Sequence, residues 1–104
     1  MKRIIERVAK LIMYKGPTIH ELIADAVMED KEVEIVTREN LTILKIKFVT
    51  AFDTSVTDIY TFNNDKELIK QEIKINKKMK VVFDKYNEID NLLRKMPSQS
   101  LAAS

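Results

Sequence analysis

The chain has no cysteine, no tryptophan, one histidine and a single glycine in 104 residues. Without cysteine there is no disulfide, no thiolate nucleophile and no Cys-ligated zinc. A lone glycine excludes the Gly-rich loops that cradle phosphates or dinucleotides, because those need several residues without a Cβ. His20 has no second histidine or cysteine to join it, so a metal site would fall to carboxylates alone, and none is expected. Long apolar runs are missing as well: stretches such as Leu11–Tyr14 fall far short of the ~20 residues a membrane helix needs. Met1-Lys2-Arg3-Ile4-Ile5 resembles the opening of a leader peptide. However, Glu6, Arg7 and Lys10 interrupt any apolar core, and no small-residue cleavage site follows. Neither catalytic residues nor a cofactor nor a small-molecule substrate is expected, since the groups that usually build an active site are nearly absent. No membrane partner and a cytoplasmic setting are the corresponding expectations.

What is present is 45% hydrophobic and 33% charged, the composition of a globular chain rather than a disordered one. The length suits one domain with a real core. Net charge is only +2 and unevenly placed: residues 64–104 hold nine Lys/Arg against six Asp/Glu, while residues 1–30 balance. Any basic surface therefore belongs to the last helix, expected over residues 64–96. Usage rich in lysine, isoleucine and asparagine, with almost no glycine, fits a small phage or mobile-element protein. Such a protein would act in a bacterial host's cytoplasm.

Ile4, Ile5, Val8, Leu11 and Ile12 recur at helical spacing and predict a first helix over residues 2–15. Gly16-Pro17 ends it. Thr18 with Glu21 has the capping-box spacing, opening a second helix whose apolar side is Ile19, Leu22, Ile23, Ala26 and Val27. The period then drops to two. Val33, Ile35 and Thr37 predict one strand and Leu41–Val49 a second, with Leu44, Ile46 and Phe48 on one face and Lys45 and Lys47 on the other. Arg38-Glu39-Asn40 is the hairpin connection, with Asn40 suited to positive φ. A third strand is expected over 56–62, after a turn or bulge at Thr50–Ser55.

From Asn64, whose spacing to Glu67 again suggests a capping box, no glycine or proline intervenes before Pro97. Ile75, Met79, Val82, Tyr86, Ile89, Leu93 and Met96 follow steps of four and three residues, the heptad repeat of a coiled-coil seam, with Phe83 and Leu92 flanking it. A helix over 64–96 would be a rod of roughly 50 Å, longer than a small domain's core, and its surplus would need a partner. Lys70, Lys74, Lys77, Lys78 and Lys85 would line one side, as an anion or nucleic-acid contact or simply as a solvated face.

The expected fold is thus α+β in the order α-α-β-β-β-α. It has a three-stranded antiparallel sheet, two short N-terminal helices and a long C-terminal helix with a coiled-coil-like seam. Residues 1–96 form one domain and residues 97–104 a disordered tail. The expected function is non-enzymatic: a dimeric protein-binding regulator, adaptor or inhibitor that masks a partner surface through the seam. The alternatives are a winged-helix-like nucleic-acid-binding regulator and a structural or chaperone-like assembly component. Against the winged helix, the second helix carries Glu21 and Asp25 but no Lys or Arg.

Overall fold

The computed structural model describes residues 2–96; the tail expected at 97–104 lies outside the described residues. The elements are α1 (Lys2–Met13), α2 (Ile19–Met28), β1 (Glu32–Arg38), β2 (Leu41–Val49), β3 (Ser55–Phe62), β4 (Leu68–Ile75), β5 (Lys78–Asp84) and α3 (Lys85–Arg94). The α+β class stands, but the expected architecture does not. The sheet has five antiparallel strands in the order β1-β2-β3-β4-β5, and the long helix over 64–96 is replaced by a β-hairpin followed by a ten-residue helix.

The reason lies in two local signals. Asn63, not Asn64, organises the β3–β4 turn: its Oδ1 accepts from the N–H of Asp65 and of Glu67, both at 3.0 Å. This side-chain-to-backbone bonding is what asparagine offers in turns as readily as at a helix start. Beyond the turn, Ile69, Ile73, Ile75, Val81 and Val82 are β-branched and favour strands. Asn76 supplies the positive φ of 54° that lets Ile75 and Lys78 pair across a two-residue connection. The heptad phase through Ile75, Met79 and Val82 is therefore coincidental with two strands of period two.

The first half follows its local signals. Gly16, at φ 71°, releases the chain from α1, and the Thr18 hydroxyl accepts from the N–H of Glu21 to cap α2. In the β1–β2 connection, positive φ falls on Glu39 rather than on Asn40.

The chain divides into two compact units. In the unit spanning residues 15–84, α2 packs on one face of the sheet. Its Ala26, with Ile19, Leu22 and Ile23, meets Leu44, Ile46, Phe62 and Leu68. Strand alternation turns the intervening residues to the other face, which is partly open to water, and there Lys45 and Lys47 bracket Glu34 at 3.8 and 3.6 Å. In the second unit, α1 packs against α3. Leu92 is buried there, and so is Lys85, whose ammonium donates to the backbone carbonyls of Ile12 and Tyr14, both at 3.0 Å. Those acceptors lie at the C-terminal end of α1, where carbonyls lack intrahelical partners and a cation is favoured. Among the described residues, no helix is long and apolar enough to cross a membrane.

Candidate functional site

Antiparallel pairing brings the start of β1, the end of β2, the start of β3 and the β4–β5 turn to one end of the sheet. Several large apolar side chains are exposed at that end. Phe52, in the β2–β3 loop, is 90% exposed, and Met28, closing α2, is 84% exposed. Val27, Val49, Ile75 and Met79 are exposed beside strand or helix ends of the same region. The loop is held in shape rather than loose: Thr50 Oγ1 accepts from the N–H of Phe52 and of Thr54, both at 3.3 Å, and Asp53 takes φ 58°. An open cleft of about 710 Å³ runs between the end of α2 and the strand ends, with Val27, Lys31, Phe48 and Val49 in its lining. Lys31 is fixed inside it, 2.6 Å from Glu29 and 4.2 Å above the Phe48 ring. Its charge is thereby matched by a carboxylate and an aromatic face.

Asp58 and Tyr60 sit on the α2 side of the sheet, near this cleft. Burial pushes the Asp58 carboxyl above its ordinary 3.8, opposed by the charge of Lys31. Burial, and then the Asp58 charge, also push up the Tyr60 hydroxyl. A folded-state pKa above the unfolded one means the protonated carboxyl favours the fold. That contribution is whole below pH 3.8 and is lost as pH rises through the raised value. Asp58→Asn, which mimics the neutral form, should therefore gain stability over the wild type at pH 7, and the gap should close below pH 4. Urea denaturation across that range checks it; a gap independent of pH would exclude titration of Asp58 as the cause.

The residues expected to form one seam are divided among three elements. Ile75 ends β4, Met79, Val82 and Phe83 lie on β5, and Tyr86, Ile89, Leu92 and Leu93 lie on α3, with Met96 just beyond it. Phe83 packs against the core, Leu92 is buried, and Ile75, Met79, Val82 and Tyr86 are exposed. With no rod outrunning the domain, the geometric basis for a seam-mediated dimer is gone. Among the lysines, Lys74, Lys77 and Lys78 come together at the β4–β5 hairpin. Lys70 lies 3.9 Å from Glu72, and Lys85 is engaged by α1. Lys80 joins the hairpin group without having been singled out by helical spacing. His20 is exposed at the second position of α2. No group of three or more His, Asp or Glu among the described residues is placed to hold a metal ion.

Val27, Met28, Val49 and Phe52 were not visible as a site in the sequence. The one available signal was Phe52 itself, a large apolar ring inside the turn-like stretch Thr50–Ser55. Comparison of the chain with models of known families, with curated proteins and with solved structures found no match.

Proposed function

We propose that this chain is a small, non-enzymatic protein-binding regulator, adaptor or inhibitor that works in a cytoplasm by masking a surface of a larger partner. The observation that carries this reading is the exposed apolar end of the sheet, with Phe52 and Met28 almost wholly in water. Keeping a large apolar side chain solvated forgoes about 1.5–3 kcal/mol of burial, and apolar surface gathered on a loop end is characteristic of interaction sites. A loop pinned by Thr50 presents Phe52 with little ordering left to lose on binding. The nucleic-acid reading has less behind it. After α2 the chain enters β1 at Glu32, so no recognition helix follows, and α2 offers no Lys or Arg.

The test compares two baits in the same host lysate: the wild-type chain and the double variant Met28→Asp with Phe52→Asp. Both side chains are exposed, so the variant should keep the wild-type circular dichroism and melting temperature. At least one protein should be retained by the wild type and lost by the variant. Identical retention by both baits would remove the apolar end from the function.

A further inference from the structure

Among the described residues β5 is an edge strand, and one side of its stretch 78–82 faces no neighbouring strand. Residues 78–82 are all exposed. Lys78 and Lys80 pair with Ile75 and Ile73 across the hairpin and share their face; Met79 and Val81 pair with Lys74 and Glu72 and share the other. Between Ile73 and Phe83 there is no acidic residue. None of Lys74, Lys77, Lys78 and Lys80 is in an ion pair among the described residues. The hairpin is also fixed in place. The Asn76 N–H donates to the Ser55 carbonyl at 2.8 Å, and the Ser55 N–H donates to Asn76 Oδ1 at 3.3 Å.

We propose that β5 accepts an extended segment of a protein partner as a sixth strand, and that acidic and apolar side chains alternate along that segment. The added backbone would supply hydrogen bonds whatever its sequence, and the alternate side chains would supply selection. Acidic positions meet Lys78 and Lys80 on one face, where opposite charges facing each other across a ladder attract. Apolar positions meet Met79 and Val81 on the other face. The register irregularity between Gln71 and Glu72, opposite the stretch Val81–Phe83, limits the matched stretch to about Lys78–Val81. Lysines on an edge commonly serve only to repel other edges. Here they alternate with exposed Met79 and Val81, which repulsion alone does not call for.

Two other occupants fit less well. Nucleic-acid phosphates would satisfy the lysines and leave Met79 and Val81 unused, and the hairpin has no arginine to read bases. A second copy could offer β1, whose Glu32-Val33-Glu34-Ile35 has the required alternation. However, its Glu34 is already held between Lys45 and Lys47. The proposal deepens the protein-binding reading by naming what the partner presents. It rests on residues outside the Met28–Phe52 pair, so its failure and the failure of the bait comparison can be told apart.

The experiment uses the full chain and a blocked, fluorescein-labelled octapeptide alternating glutamate with valine. The control peptide has the same composition with the four glutamates contiguous. Fluorescence anisotropy at low salt should show the alternating peptide binding at least about tenfold more tightly than the control. Hydrogen exchange should slow at the amides of residues 78–82 when it binds. Lys78→Glu with Lys80→Glu should weaken binding about tenfold or more while leaving the melting temperature unchanged. Equal affinity for the two peptides would overturn the proposal, reducing it to general charge attraction. So would protection away from β5, or tighter binding of a labelled single-stranded DNA. A mass above monomer for the free chain, abolished by Glu32→Lys, would overturn it too, by making a second copy the occupant.

Discussion

Replacing Phe62 by alanine should cost about 3–5 kcal/mol, the usual loss for an aromatic ring removed from a packed core. Phe62 is 0% exposed and stands among Leu44, Leu68 and Ala26, where the sheet meets α2. Its register partners are Thr42 on β2 and Leu68 on β4, so the ring touches the centre of the five strands and not an edge. A small domain holds only about 5–15 kcal/mol in total, so the variant should be near the limit of folding. Each kcal/mol lost lowers the melting temperature of such a domain by about 4–8 °C. Thermal melting followed by circular dichroism measures the loss directly. Phe52→Ala is the matched control: the same residue type, 90% exposed, with an expected change within about 0.5 kcal/mol. Equal losses for the two phenylalanines would contradict the packing described above.

Lys85→Met should cost about 2–4 kcal/mol, for a different reason. Methionine keeps most of the aliphatic stem and removes the ammonium. Lys85 is 4% exposed, and the ammonium it loses serves the Ile12 and Tyr14 carbonyls at 3.0 Å each. Those carbonyls would then lose the ammonium at the part-buried end of α1, and methionine has no polar group to replace it there. The favourable position of a cation at a helix C-terminus disappears as well. The signature should be local: faster hydrogen exchange along α1, with the sheet of residues 15–84 less affected. A variant as stable as the wild type, with α1 exchange unchanged, would mean that water replaces the ammonium without loss.

Much of the first 62 residues was legible because each element carried both a period and a punctuation mark. Gly16 and Pro17 ended α1, Thr18 capped α2, and Leu44 and Ile46 alternated with Lys45 and Lys47 as a half-buried strand requires. After Phe62 the punctuation changed in kind. The turns there use Asn63, Lys66 (φ 63°) and Asn76, and no glycine or proline marks them. A stretch without glycine or proline has the look of an uninterrupted helix, and the four-and-three spacing of Ile75, Met79 and Val82 strengthens that look, although the turns are made by asparagine and lysine. Short apolar runs satisfy both periods, and here the β-branched content of 69–82 was the better discriminator.

The candidate site was legible only in pieces. Lys74, Lys77 and Lys78 stood out by charge, but their company depends on pairing: Lys80 joins them because Asn76 turns the chain back. Met28 and Phe52 lie 24 positions apart. They come to the same sheet end through the β1–β2 and β2–β3 connections, which no local spacing encodes. Lys85, grouped with the exposed lysines by helical spacing, is instead drawn to carbonyls more than 70 positions earlier.

The pairing of α1 with α3 has a consequence for synthesis on the ribosome. Synthesis runs from N- to C-terminus, so α1 is made before its mate, with the whole stretch 15–84 translated in between. Until residue 85 and its successors leave the exit tunnel, α1 has no α3 to rest against. The sheet and α2 carry their own core, so they do not need α3 in order to pack. Chains ending at residue 84 and held on the ribosome by a spacer long enough to clear the exit tunnel should therefore hold a protease-resistant 15–84 core behind a cleavable α1, and extending the chain through residue 94 ahead of that spacer should protect α1.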